Sequence, residues 1–142
     1  MKTIKELLDV KGREVWTIGP DTSVYEGLKI MAEQEIGSLL VLEGGRPIGI
    51  FTERDYARSV ILKGRTSKDT PVHEIMTHRP ICATPTQTVE ECMALITDKR
   101  IRHLPVIDGG ELVGLISIGD LVKSIISEQQ FIIEQLEHYI TR

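Results

Sequence analysis

Only two cysteines occur in 142 residues, Cys82 and Cys92. They are too few for a disulfide scaffold and are not spaced as a C-x-x-C pair, so both read as small buried apolar groups in a reducing compartment. No apolar run approaches the ~18–20 residues that cross a bilayer. Met1 to Val10 alternates charge with leucine and isoleucine instead of forming a signal-peptide core. A soluble, cytoplasmic protein with no membrane partner is the expectation. No excess of positive charge exists either: 17 Lys and Arg face 21 Asp and Glu, a net charge of −4. No global field draws nucleic acid, and none is expected as a partner. What remains, 41% apolar and 27% charged residues, fills a core and wets a surface, and the length suits one compact domain or two small ones.

The chain is one pattern written twice. Laying residues 20–58 over 85–123 without a gap gives ten identities in 39 positions, among them Pro20/Pro85, Glu26/Glu91, Gly44/Gly109, Gly49/Gly114 and Asp55/Asp120. A repeat dictates architecture before any single residue does. Each copy opens with a short extended segment, Val15 to Ile18 or Ile81 to Ala83. A helix follows, with Ser23 or Thr88 as N-cap and Glu26 or Glu91 three residues on, the spacing of a capping box. Two apolar runs then flank Gly44-Gly45 or Gly109-Gly110, which predicts a hairpin with a tight turn. A second helix starts at Thr52 or Ser117. The order strand, helix, strand, strand, helix occurs twice in an α+β fold, joined by the polar stretch from Lys63 to Thr70. A unit of about 60 residues is marginal alone, so the two copies should pack around a pseudo-twofold axis with any ligand cleft at their junction. Chain order divides the protein into 1–70, with an N-terminal helix and copy one, 71–128, and a helical tail at 129–142.

The motif I-x-x-L-x-V-x-x-G-G-x-x-x-G-[IL]-x-[TS]-x-x-D, present in both copies, resembles the CBS domain. The tandem pair resembles a Bateman module of the stand-alone two-CBS kind, over about residues 15–128. The resemblance implies a regulatory module that binds an adenosine compound: AMP first, with ATP, ADP, NAD or S-adenosylmethionine as alternatives. Catalysis is not implied, and no enzyme is expected. It also implies composite sites, each joining the T/S-x-x-D segment of one copy to the first strand and pre-hairpin residues of the other. The first joins Thr52, Arg54 and Asp55 to Ile81, Cys82, Ala83, Arg102, His103 and Pro105. The second joins Ser117, Gly119 and Asp120 to Thr17, Ile18, Gly37 and Ser38, where Gly37 and Ser38 replace Arg102 and His103.

The chemistry suits the assignment. A carboxylate such as Asp55 or Asp120 accepts two hydrogen bonds from a ribose diol, and a hydroxyl at a helix N-terminus favours phosphate. The competing reading makes Thr52-x-x-Asp55 and Ser117-x-x-Asp120 simple helix caps. On spacing alone the caps lead, and the duplicated hairpin context with the resemblance reverses that order. Because Arg102 and His103 have no counterpart in the second site, that site is expected to bind more weakly, take a less anionic ligand or stay empty. Arg58, Lys63 and Lys68 read as a solvated helix face, and Trp16 as core ahead of an adenine platform. His73, His78, His103 and His138 lack metal-ligand spacing, and no metal is expected. Turn glycines between two strands fit neither a dinucleotide fold nor a P-loop.

From Ile118 the residues Ile118, Val122, Ile125, Gln129, Ile132, Leu136 and Tyr139 follow a heptad seam. A helix of that span is ~33 Å long, more than one copy needs to cover its sheet. A homodimer through the tail is expected, and the rival function is a ligand-independent scaffold for dimerisation and partner docking.

Overall fold

A computed structural model describes residues 2–141. Local chemistry sets its elements. Ser23 caps α2 (Val24–Gln34) by accepting from the Glu26 N–H, and Thr88 closes a reciprocal capping box on α4 (Val89–Lys99) with Glu91. Both helices end in a left-handed residue at equivalent positions, Glu35 and Arg100, each with φ 55°. The hairpins β2 (Ser38–Glu43) with β3 (Arg46–Thr52) and β5 (His103–Asp108) with β6 (Glu111–Ser117) turn at Gly44-Gly45 and Gly109-Gly110. All four glycines have positive φ, the backbone a two-residue turn of this hand requires. Even the bulge recurs, between Val41 and Leu42 and between Val106 and Ile107.

The extended segments are shorter than expected. In copy one, β1 is only Thr17–Ile18, parallel to β2. In copy two the counterpart is a single bridge, Ala83 to Val106, because Pro105 stands where Leu40 donates its N–H to the Trp16 carbonyl in copy one, and proline has no N–H to offer. β4 (Thr77–His78) extends the first sheet, whose order is β1-β2-β3-β4, and the second sheet is the β5-β6 hairpin. The helix after Thr52 is also interrupted: α3 (Glu53–Tyr56) passes into a π-turn over Ala57–Ile61, where the Leu62 N–H reaches the Ala57 carbonyl at 3.2 Å.

Two cores form, and each is finished by the segment that precedes the other copy. Ile4, Leu7 and Leu8 of α1 (Ile4–Lys11) lie among Val89, Cys92, Ile96, Leu104, Ile116 and Leu121 of copy two. Val72, Ile75 and Met76 of the connector lie among Val24, Met31, Leu39 and Phe51 of copy one. The two segments dock alike. The Lys2 carbonyl accepts from Val89 as Thr70 accepts from Val24, Thr3 bridges Thr88 as Pro71 bridges Ser23, and Leu8 covers Gly114 as Met76 covers Gly49. A β-carbon on Gly49 would lie 2.3 Å from the Met76 sulfur and one on Gly114 2.8 Å from Leu8, which is why both copies keep glycine there. Chain order groups α1 with copy one, but packing puts its apolar face in the core of copy two.

The last helix, α5 (Ile118–Thr141), has 24 residues. Leu121 and Ser124 are buried and Ile125 packs on the second core, so its inward face runs through 121, 124 and 125. The expected heptad seam lies mostly outward, with Ile118, Val122, Ile132, Leu136 and Tyr139 exposed. No helix among the described residues is long and apolar enough to cross a membrane.

Candidate functional site

The larger of the two cavities between the copies, about 660 Å³, is bounded from the first copy by Gly37, Ile50, Thr52, Glu53, Arg54, Asp55 and Arg58. Residues 77–81 and 100–103 close it from the other side. Five arginines line this space, Arg54, Arg58, Arg79, Arg100 and Arg102. Against them stand two carboxylates, Glu53 and Asp55, in a chain whose overall charge is −4. Such a concentration of fixed donors suits a phosphate or another oxyanion.

Asp55 is positioned by its own helix start. The Thr52 N–H donates to Asp55 Oδ2 at 2.9 Å, and the Asp55 N–H donates to the Thr52 hydroxyl at 3.1 Å. The capping geometry and the ligand geometry are therefore compatible, because the cap uses one carboxylate oxygen and Oδ1 has no partner among the described residues. Burial pushes the Asp55 carboxyl above its ordinary value, and the Thr52 hydrogen bonds with Arg58 and Arg54 only partly offset it. Half-buried His103 is held below its ordinary value, first by burial and then by Lys11 and Arg102, while Asp120 pulls the other way. That imidazole lines the second cavity as well, and with Gly37 it forms the wall common to both.

The second cavity, about 390 Å³, is lined by residues including Lys11, Glu14, Trp16, Gly37, Ser38 and Ser117. The carboxylate expected at this site is engaged outside the cavity: Lys11 Nζ lies 2.6 Å from Asp120 Oδ2, which also accepts from the Ser117 N–H at 2.8 Å. Burial works to raise the Asp120 carboxyl, but Lys11 and Ser117 together hold it below the ordinary value.

Of the residues expected at the first site, the cavity gathers Thr52, Arg54, Asp55, Ile81, Arg102 and His103. Ala83 and Pro105 lie in the interior, where the Ala83 N–H donates to the Pro105 carbonyl at 2.8 Å. Cys82 turns its thiol to the Pro80 carbonyl, off the cavity wall. At the second site Gly37, Ser38 and Ser117 face the cavity; Thr17, Ile18, Gly119 and Asp120 do not. Ile18 is buried under its sheet, and Asp120 borders a smaller space between α1 and α5 with Lys2, Lys11 and Lys123. Arg58, read as a solvated face, and Trp16, read as core, both line cavities, and Trp16 is 39% exposed. Arg79, Arg100 and Lys11 were missed. Arg79, which has a left-handed φ of 50°, precedes the second copy's extended segment and nothing in the sequence singled it out. No group of three or more metal-ligating side chains occurs among the described residues.

Comparison with known proteins agrees with this architecture. The CBS domain profile matches residues 5–61 and 72–127. CBS domain-containing protein CBSX3, mitochondrial, of Arabidopsis thaliana is 39% identical over 148 residues, covering 97% of this chain and 71% of its own. The structure of a protein with CBS domains from Burkholderia ambifaria superposes with a TM-score of 0.85 at 52% identity, over 90% of this chain and 96% of that one. CBS domain protein PAE2072 from Pyrobaculum aerophilum, solved in complex with AMP, is more distant at 25% identity, with a TM-score of 0.74 and coverage of 83% and 88%.

Proposed function

Since the chain belongs to the CBS-domain family and carries the domain twice, as a regulatory pair, we propose that its larger cavity binds an adenosine nucleotide, AMP before ATP, ADP, NAD or S-adenosylmethionine. The bound state is then passed to a partner protein through the shape of the junction and the tail, in a homodimer. One observation carries this reading: Asp55, with an open carboxylate oxygen, lines a cavity together with arginines of both copies. A ribose diol on Asp55 Oδ1 leaves the 5′-phosphate within a field of Arg54, Arg58, Arg79 and Arg102, and His103 adds a further donor. A volume near 660 Å³ fits a mononucleotide. The AMP held by the Pyrobaculum aerophilum protein supports the ligand class. The arginines that line the cavity make its chemistry that of holding an anion.

A thermal-shift panel of the five ligands on the wild type and Asp55→Ala tests it. A ligand at 100 times its Kd adds ~2.7 kcal/mol, several degrees for a protein of this size. A shift from AMP that disappears in the variant is the expected result. A folded wild type that no ligand shifts would transfer the function to the rival reading, a ligand-independent scaffold, which the outward apolar face of α5 favours.

A further inference from the structure

The two copies present the same carboxylate in different states, and a lysine outside the repeat makes the difference. Asp55 meets no ammonium group, and Oδ1 stays open. Asp120, at the equivalent position, is in a 2.6 Å ion pair with Lys11 through Oδ2, the oxygen that also accepts from Ser117, and it lies outside the second cavity, which Lys11 lines. The same Nζ donates to the Leu115 carbonyl at 2.5 Å, so Lys11 is fixed at two points across the mouth of the Ser117 segment. Lys11 is the last residue of α1, whose Ile4, Leu7 and Leu8 are anchored in the second core. The lysine is thus delivered by a docked helix and is not a loose surface chain.

The offset that relates the two docking segments, 68 residues between Thr3 and Pro71 and between Leu8 and Met76, carries Lys11 onto Arg79. Arg79 lines the first cavity and makes no ion pair with Asp55. In the first copy the docking segment makes only a 3-10 turn, Val72–Glu74, and then adds β4 to the sheet before Arg79. In the second copy it stays helical to Lys11, which reaches the β6 carbonyl with its side chain instead. One cation is held open toward a ligand; the other is spent on the protein's own carboxylate.

We propose that Lys11 is an intramolecular stopper of the second cleft: its ammonium stands where the ribose of a nucleotide would meet Asp120, so that ligand enters only when the end of α1 gives way. This rests on the adenosine-nucleotide reading of the first cavity for the choice of probe. It makes the module a one-nucleotide device by default, with a second site that any event pulling on α1 would open. Lys11→Met removes the charge and keeps the stem that covers the sheet.

Isothermal titration with AMP on the full chain, as wild type, Lys11→Met, Lys11→Met/Asp120→Ala and Asp55→Ala, tests the stopper. One AMP per wild-type chain is expected, lost in Asp55→Ala. A second is expected in Lys11→Met, up to about fivefold tighter than any second event in the wild type, the upper end of what releasing an ion pair about a third exposed or less returns. It should be lost again when Asp120 is also removed. Second-site affinity unchanged in Lys11→Met overturns the stopper and leaves the first cavity's reading intact. No binding to the wild type with one Asp120-dependent AMP in Lys11→Met upholds the stopper and overturns the reading of the first cavity. No binding to any variant overturns both.

Discussion

Gly27 lies against the face of Phe51 so closely that a β-carbon on it would come within 2.9 Å of the ring. The same place in copy two holds Cys92 against Ile116, both fully buried. The duplicated core keeps its volume by exchanging a small-large pair for a medium-medium one. Gly27→Ala therefore costs stability, about 1–3 kcal/mol by overpacking, although alanine is the better helix former. Phe51→Ile in the same chain should recover most of that loss. Urea denaturation of both single variants and the double variant measures the coupling, and additive losses would separate the two residues.

Asp55 and Asp120 should affect the ligand-free protein in opposite directions. The folded Asp55 carboxyl binds its proton more tightly than the ordinary 3.8, so its contribution is present below that value and lost as pH rises through the folded one. At neutral pH its charge is a cost. Asp120 is lowered: its contribution is present above 3.8 and is lost as pH falls through the lower folded value. Asp55→Asn is expected to raise Tm at pH 7 while abolishing the response to AMP, and Asp120→Asn to lower Tm. Calorimetry without ligand reads both signs.

His103 is expected to couple AMP binding to protons. Burial, Lys11 and Arg102 keep the free imidazole neutral at pH 7, and a phosphate placed in the cavity favours the charged form. Binding takes up a proton, so affinity for AMP should rise as pH falls from about 8 to about 6.5. Titration in buffers of different ionisation enthalpy counts the proton, and His103→Gln should flatten the profile. A flat wild-type profile would remove His103 from the phosphate's surroundings.

The tail should govern assembly. Phe131, Ile132, Ile133, Leu136, Tyr139 and Ile140 are each more than half exposed, between 51% and 78%, and none belongs to either core. Deleting 129–142 is expected to leave both cores folded and to shift the mass in sedimentation from dimer to monomer. An unchanged mass would place the contact elsewhere.

Most of the architecture was legible because it is local and written twice. Ser23, Thr88, Gly44-Gly45 and Gly109-Gly110 specify caps and turns within a few residues of themselves, and the T/S-x-x-D spacing located Asp55 and Asp120. The cation-rich wall was half legible: Arg54 and Arg102 stand inside the motif, whereas Arg58 looks like any helix surface residue until the second copy is laid over it. Arg79 reads as loop. Trp16 sits beside a strand that suggested burial, yet it borders the second cavity.

The sequence by itself determined the duplication, the element order, the turns, the caps and the two equivalent carboxylates, since all depend on periodicity and short-range hydrogen bonding. Tertiary structure alone decided that α1 completes the core of copy two and that Lys11 reaches Asp120. Those residues are 109 positions apart, and no pattern along the chain links them. Which lead-in segment covers which glycine is a matter of packing complementarity between Leu8 and Gly114 or Met76 and Gly49, and that choice makes two equal motifs into two unequal sites.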